Sequence, residues 1–376
     1  MSKTKTNIIN KRIKETIEKI NNRDFTMYFF TIDSRNIPNG SINYIYNVAK
    51  SFKDNGYNVK MLYQLENEYT ETELNELEKN NTPIDEDRIF IGVKEWMGEE
   101  YGNIEHMNIS KEDWKISPSD FLFIPEVFSS FMYQTFKHNA PCKRYVILQN
   151  YNYVTEFIPL GVEWANYGIT NVIANTQEQL DLLKSVFPYM NGKVLNPFIS
   201  DKFRMPLKPK KLIVNIISKN QNDINRIIKP FYWKYPIYKF ISFRELRNFT
   251  QDTYSEYLKE GAITIWLDDE TPFGYSALEA IRCGNILIGK IPDVMPEWMK
   301  KDGGIWFNDI NDVPNILSAV IGTWMQDKIP TELTDKMEET NKLYTKSEWD
   351  KNIKTILDSI TNERIEELNN LLISNK

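Results

Sequence analysis

The sequence predicts an α/β protein made of two doubly wound domains, each built around a parallel sheet. The chain has 376 residues, which is more than one ordinary core organises and enough for two domains of average size. Residues 25–63 have the pattern of a strand, a glycine-containing turn, a helix and a second strand. Such a βαβ unit requires parallel strands and a right-handed crossover. Short apolar runs then alternate with helical patterns along the rest of the chain, which extends the same architecture to a second domain.

The first βαβ unit begins with the apolar run 25–32, which is short enough for a buried strand. A turn that ends in Asn39 and Gly40 follows, and apolar residues then recur at helical spacing. The second strand is predicted at residues 57–63. The acidic stretch 66–87 that follows predicts a helix or a loosely held insertion.

The boundaries of the domains follow from where these patterns change. The stretch Lys208-Pro209-Lys210-Lys211 is polar and contains a proline, which is typical of a linker. The further strands are predicted at residues 121–124, 145–148, 172–174 and 194–195, and beyond the linker at 212–218, 239–243, 263–266, 286–288 and 305–307. We therefore expect four segments: a basic helix or extension at residues 1–23, a Rossmann-like domain at 24–207, a second at 208–335, and C-terminal helices at 336–376 that cross back to the first domain.

Composition and charge exclude several classes of protein. The net charge of −6 offers no overall field that would concentrate nucleic acid or anionic lipid. Cys142 and Cys283 form no CxxC pattern, and His106 and His138 have no metal-ligand spacing, so neither a disulfide framework nor a zinc site is indicated. No stretch is apolar enough for a membrane span or a signal peptide. We expect a cytoplasmic protein without a transmembrane segment.

The first 23 residues are locally basic, with seven Lys and Arg residues against two Glu. Ile9, Ile13, Ile17 and Ile20 recur at helical spacing, which predicts an amphipathic helix. This helix could dock on the body of the protein. It could also make a peripheral contact with an anionic membrane or with DNA.

The most informative segment, residues 268–288, has the pattern of a strand end, a glycine turn, a helix, a glycine and a strand. A helix that begins near Gly274 directs its first backbone amides and its positive dipole end outward, which favours phosphate. Glu279 then lies about one turn into the helix, where a carboxylate can accept hydrogen bonds from a ribose diol. The alternative for Glu279 is a carboxylate on the helix surface. Asp268 and Asp269 could belong to a metal-binding acidic motif or to an ordinary loop at the strand end.

From Pro272 to Gly284 the sequence resembles the retaining family 4 glycosyltransferases. The second domain of that family carries a Glu, seven residues and a second Glu, with Phe-Gly between them and Leu-Glu-Ala-x-x-Cys-Gly following. The segments 173–177 and 194–203 resemble the family's helix cap and interdomain segment, and residues 145–153 resemble a stretch of its rhamnosyltransferase-like members. The resemblance implies a GT-B fold, in which two Rossmann-like doubly wound domains face a central cleft.

The resemblance also implies roles for individual residues. The catalytic candidates are Glu270, Thr271 and Lys219. The donor-binding candidates are Gly40, Lys219, Arg226, Phe273, Gly274, Tyr275, Ser276 and Glu279, and the acceptor-side candidates are Asn39, Gln149 and Asn150. Two positions depart from the family: Thr271 stands where the first Glu is expected, and Ile224 stands where a Lys is expected. Glu270 and Arg226 could take over these roles, while Lys219 could also be an ordinary solvated lysine.

The implied donor is a nucleoside diphosphate sugar, with no cofactor and no metal. Cations and helix amides would stabilise the negative charge that develops on the diphosphate leaving group. The expected reaction is transfer of the sugar, with retention of configuration, to a glycan or lipid-linked saccharide. One alternative is a viral enzyme that glycosylates modified DNA bases in the host cytoplasm. Another is a scaffold without turnover that binds a nucleotide sugar or a protein.

Overall fold

A computed structural model describes residues 3–268 and 270–375, which fall into two compact units. The first unit comprises the chain up to Asn175, residues 180–195 and the chain from Asp350 on. The second unit comprises Thr176–Gln179 and Asn196–Trp349. The polar stretch 208–211 lies inside the second unit, where Lys211 begins its first strand.

The first unit contains a seven-stranded sheet flanked by helices. Its strands are β1 (Thr26–Phe30), β2 (Asn58–Tyr63), β3 (Glu105–Asn108), β4 (Phe121–Pro125), β5 (Lys143–Leu148), β6 (Asn171–Ala174) and β7 (Asn191–Val194). Its helices are α1 (Lys3–Asn21), α2 (Gly40–Asp54), α3 (Glu71–Lys79), α4 (Lys94–Met97), α5 (Glu99–Gly102), α6 (Ser129–Lys137) and α7 (Tyr151–Phe157), and it also contains α8 (Gln177–Val186) from Leu180 on.

The strands of this sheet are parallel and follow the order β3-β2-β1-β4-β5-β6-β7. The chain therefore proceeds outward from β1 in one direction and then from β4 in the other. Successive side chains of β1 point to opposite faces. Phe29 contacts Phe52 of α2 on one face, while Phe30 stacks on Phe131 of α6 on the other. Because helices cover both faces, the central strands are apolar throughout rather than alternating.

The second unit contains a five-stranded parallel sheet. Its strands are β8 (Lys211–Ile217), β9 (Ser242–Glu245), β10 (Gly261–Trp266), β11 (Ile286–Lys290) and β12 (Ile305–Phe307). Its helices are α9 (Gln221–Lys234), α10 (Gln251–Glu260), α11 (Tyr275–Arg282), α12 (Val313–Met325) and α13 (Thr331–Asn341). The order β12-β11-β10-β8-β9 puts the reversal of strand order between β8 and β10. The two parallel sheets confirm the α/β class that the sequence predicts.

The last helix, α14 (Lys346–Ser374), begins in the second unit and continues in the first. Its later turns are held to the first unit by charged side chains. Glu363 pairs with Lys193 and Glu367 pairs with Lys143, while Arg364 donates to the carbonyl of Pro118 at 3.2 Å. Nowhere in the described part of the chain is a helix long and apolar enough to cross a membrane.

Several elements differ from the sequence-based prediction. The strand predicted at 239–243 is wrong in position, since β9 begins only at Ser242. A 3₁₀ turn at Pro236–Tyr238 precedes it, and the Tyr232 hydroxyl holds the Ile241 carbonyl at 2.6 Å. Strand β3 was not predicted, because only its last residue is fully buried and its sequence is mostly polar. The acidic stretch contains α3. A capping box between Thr70 and Glu73 stabilises the amino end of this helix.

Candidate functional site

The carboxyl edge of the second sheet brings together two loops at the point where its strand order reverses. Ligands of open α/β sheets bind in the crevice at such a point. The loops follow β8 and β10, and the Leu267 amide donates to the Ile217 carbonyl at 2.9 Å. Beyond this bond, the Lys219 ammonium lies 2.9 Å from an Asp268 carboxylate oxygen. The Lys219 side chain is 70% exposed, so its charge faces solvent at this edge.

A second cation lies at the same edge. Arg247 follows the edge strand β9, donates to the Ser218 carbonyl at 2.9 Å and pairs with Glu245 at 3.1 Å. Sequence reasoning missed this residue because it belongs to no motif. The available signal was its position shortly after a predicted strand.

The start of α11 also lies at this edge, and Gly274 allows the tight turn that precedes the helix. Gly274 has a left-handed backbone, with φ of 72°. A β-carbon there would lie 3.1 Å from Trp298 and 3.3 Å from Met299, so both conformation and space favour glycine. Trp298 donates its indole N–H to the Phe273 carbonyl at 2.8 Å. The amides of Tyr275 and Ser276 precede the first intrahelical bonds and give this end its positive character.

Glu279 lies one turn further along α11. Burial raises the pKa of its carboxyl to about 8, although part of the side chain stays accessible. Tyr254 is partly buried, with its hydroxyl inaccessible to solvent, and burial followed by the Glu279 charge raises the pKa of that phenol. A hydroxyl group that donates a hydrogen bond to Glu279 would offset the cost of burying its carboxylate.

The other residues predicted to bind the donor lie in the core, on the first turn of α11 and in the turn before it. Phe273 is buried in the core and packs edge-on against Tyr275, with ring centroids 4.8 Å apart. The Ser276 hydroxyl accepts the Trp266 indole N–H at 3.1 Å. The Thr271 amide donates to the Asp268 carbonyl at 3.4 Å in a turn that also contains the exposed Glu270.

Packing explains one of the two departures from the pattern of the family 4 glycosyltransferases. Ile224, at the expected lysine position, is 3% exposed and belongs to the apolar core. Arg226 lies beyond the first turn of α9 and pairs with Asp223 at 3.7 Å.

The predicted acceptor-side residues lie at the carboxyl edge of the first sheet, where they begin helices. The Asn39 side chain accepts the amides of Ser41 and Ile42 and so caps α2, whose first residue is the exposed Gly40. Asn150 caps α7 by accepting the Asn152 amide. Both asparagines therefore fix the positions of loops.

Glu126, which sequence reasoning missed, joins two strand ends in the same region. It follows β4 and is 2% exposed, and one carboxylate oxygen accepts the amides of Gln149 and Asn150 at 3.1 and 2.8 Å. Its other oxygen, Oε2, is buried without a hydrogen-bond partner in the described structure. Burial raises the pKa of Glu126 to about 7. An acidic residue directly after the apolar run 121–125 was the signal in the sequence.

Metal ligands do not converge in the part of the chain that the structure describes: no three His, Cys, Asp or Glu side chains there could hold an ion. Asp268 of the acidic pair contacts Lys219. Asp269, its neighbour in the sequence, lies outside the described residues.

No protein-family model matches the chain, and no curated protein matches it in sequence. Sucrose-phosphate synthase from Thermosynechococcus elongatus is similar in structure, with a TM-score of 0.59 and 9% identity over 90% of this chain and 99% of that chain. The pneumococcal O-GlcNAc transferase GtfA, in complex with UDP and GlcNAc, has a TM-score of 0.58 and 11% identity over 89% and 99%. An α-glucosyltransferase in complex with UDP and DNA that contains an HMU base has a TM-score of 0.52 and 13% identity over 88% and 98%. These structures are glycosyltransferases of the GT-B superfamily, and the likeness establishes that the chain has the GT-B fold.

Proposed function

We propose that the chain is a glycosyltransferase that moves a sugar from a nucleoside diphosphate sugar to an acceptor. The observation that carries this proposal is the convergence at the β8/β10 edge of Lys219, the amino end of α11 and Glu279. A diphosphate requires cations and amide donors, and a ribose requires an acceptor of hydrogen bonds. The edge offers both kinds of group within one unit.

The chemistry of transfer supports the same assignment. The bond between the anomeric carbon and the diphosphate breaks, and negative charge develops on the leaving group. Lys219 and the amides of Tyr275 and Ser276 would stabilise that charge, which is commonly a large part of catalysis. Glu279 would bind the ribose hydroxyls and so fix the position of the donor in the site. Glu270 and Thr271, in the turn ahead of the helix, would contact the donor sugar.

The resemblance of residues 272–284 to family 4 supports transfer with retention and without a metal or cofactor. We assign the acceptor to the first unit, with a glycan or lipid-linked saccharide as its class. The two cysteines of the described chain, Cys142 and Cys283, are free thiols, which supports a reducing compartment such as the cytoplasm.

A modified base in DNA is the second candidate acceptor. The similarity to an α-glucosyltransferase that was solved with DNA favours it. So do the basic residues of α1, of which Lys11, Arg12, Lys14 and Lys19 are exposed. Duplex DNA containing 5-hydroxymethyl pyrimidines tests this candidate directly, and a steep salt dependence of binding would accompany it.

The proposal is tested with a panel of nucleotide sugars. We expect one donor to raise the melting temperature and to be hydrolysed slowly by water. Glu279→Ala should remove both effects, while Glu178→Ala, a control on the first turn of α8, should keep them. A donor that binds the chain but is never hydrolysed or transferred would support a nucleotide-sugar-binding scaffold instead. The absence of any response to every donor would contradict both readings.

A further inference from the structure

The first unit contains a cavity of about 330 Å³ that the proposed donor site does not use. It lies at the carboxyl ends of β1 and β2 and beside the start of α6, next to the reversal of strand order between β1 and β4. Its walls are mainly apolar and aromatic, and include Phe30, Tyr63, Phe90, Phe128 and Phe131. A cavity of this size and position is typical of a small-molecule site.

One wall of the cavity is formed by the end of the acidic stretch 66–88 and by the residues directly after it. It is anchored by Asp33 at the end of β1, whose carboxylate accepts the Ile91 amide at 2.8 Å and the Gly92 amide at 2.7 Å. Phe90 follows this stretch and stacks on Tyr63, with ring centroids 4.2 Å apart. The insertion is therefore a fixed wall with an aromatic inner face.

The same segment dominates the charge of the molecule. Residues 66–88 contain nine Asp and Glu against one Lys and one Arg, a net charge of −7. Since the whole chain carries −6, the remainder carries +1. Glu86 and Asp87 of this segment line the cavity, where Asp87 pairs with Arg35. The cavity lining therefore carries three carboxylates, Asp33, Glu86 and Asp87, against the single cation Arg35.

This arrangement selects ligands by charge. A phosphate or other anion that approaches the mouth meets like charges, which lower both its rate of association and its affinity. An uncharged sugar ring meets no such barrier. Its C–H face can pack on the aromatic wall while its hydroxyls donate to Glu86 and to backbone carbonyls.

We propose, building on the glycosyltransferase function above, that this cavity holds the acceptor as a saccharide ring that carries no anionic group. In the reaction the acceptor hydroxyl oxygen bonds to the anomeric carbon, the bond from that carbon to the diphosphate oxygen breaks, and the proton leaves with the diphosphate. A lipid-linked acceptor then keeps its phosphates outside the cavity. Modified DNA is excluded from it.

The first test is saccharide binding to the full chain without donor, measured by ligand-observed NMR. The probes are the neutral sugars maltose, lactose and cellobiose, with glucose 6-phosphate and hydroxymethylated DNA as anionic probes. We expect a neutral sugar to bind and the anionic probes to bind at least tenfold more weakly. Because this readout needs no turnover, it separates failure of this inference from failure of the proposed function.

Variants localise the binding. Phe90→Ala should weaken neutral-sugar binding about tenfold by removing an aromatic wall. Ile32→Trp should do the same by filling the cavity; Ile32 is 52% exposed, so the larger ring needs no core rearrangement. Phe136→Ala, on the exposed side of α6, is the control and should have no effect. Glu86→Lys should reduce the ratio between the affinities for neutral and for anionic probes.

Donor hydrolysis by water should be the same in the unmodified chain and in the control Phe136→Ala, because Phe136 does not line the cavity. Three outcomes would overturn the inference: preferential binding of an anionic probe, no binding of any neutral sugar, or neutral-sugar binding that survives both Phe90→Ala and Ile32→Trp. The melting temperature of each variant shows whether it is folded.

Discussion

The carboxyl edges of the two parallel sheets have the same architecture and opposite chemistry. In the second unit, Lys219, Arg247 and the amino end of α11 meet at the reversal of strand order. In the first unit, the corresponding edge has an aromatic cavity whose mouth carries Glu86 and Asp87. One edge therefore favours an anion and the other disfavours it.

The comparison teaches that the sheet fixes where a ligand binds and the loops fix which ligand it is. Most strands end in apolar residues at these edges, and Asn108, Glu245 and Lys290 are the polar exceptions. The first unit obtains its negative charge from an insertion between β2 and β3, and the second obtains its positive character from loops after β8, β9 and β10. Changing loop residues should therefore change ligand chemistry without changing the fold.

The largest effect on the second edge is expected from Gly274→Ala. The left-handed backbone and the contact of the new β-carbon with Trp298 should destabilise the second unit by about 2 kcal/mol. The displaced start of α11 should also weaken donor binding at least tenfold. Chemical unfolding and calorimetric titration measure the two effects.

Gly322→Ala is the matched control for this change. Gly322 lies inside α12, where a β-carbon would meet only the Tyr238 hydroxyl at 3.9 Å. This variant should be neutral or more stable by about 0.5–1 kcal/mol, because glycine is a poor helix residue. Equal stability of the two variants would show that Gly274 imposes no constraint on the site.

A smaller effect is expected from removing single cations at the same edge. Lys219→Met should weaken binding of a nucleoside diphosphate about tenfold, or ~1.4 kcal/mol, because it removes a charge-assisted contact to phosphate. Arg226→Met should have less effect, since Arg226 lies further along α9 and pairs with Asp223. The loss at Lys219 should shrink at high salt. A larger loss at Arg226 than at Lys219 would mean that the diphosphate binds nearer to α9.

A dependence of stability on pH distinguishes the two units. Burial raises the pKa of Glu126 to about 7 and that of Glu279 to about 8, from an ordinary value of 4.5. Between these pKa values and the ordinary one, the unfolded chain binds fewer protons than the folded chain, so the free energy of unfolding falls as pH rises. It should fall from pH 5 to about 8 and level off above that.

Glu126→Gln and Glu279→Gln should each flatten this dependence, the first for the first unit and the second for the second unit. Glutamine at position 126 keeps an oxygen that can accept the amides of Gln149 and Asn150. Urea unfolding at several pH values measures the slopes. Slopes that both variants leave unchanged would show that neither carboxyl holds its proton in the folded state.

The sequence predicted the parallel sheets and most strands because buried strands of such sheets are apolar along their whole length. It also predicted the glycine turn and helix around Gly274, where local propensity and motif agree. It did not reveal Glu126 or Arg247, because their importance depends on which strand ends become neighbours. Nor did it reveal the cavity, since Phe30, Tyr63 and Phe90 are distant in sequence and single aromatic residues are common in cores.

The most direct test of the account is whether Glu279 binds the ribose of a nucleotide. Calorimetric titration compares the common ribonucleoside diphosphates with their 2′,3′-dideoxy counterparts, on the unmodified chain and on Glu279→Ala. We predict that the unmodified chain prefers a ribonucleotide about tenfold, or ~1.4 kcal/mol, and that Glu279→Ala loses this preference. A preference of the same size in both proteins would contradict the placement of the ribose at Glu279 and with it the proposed donor site.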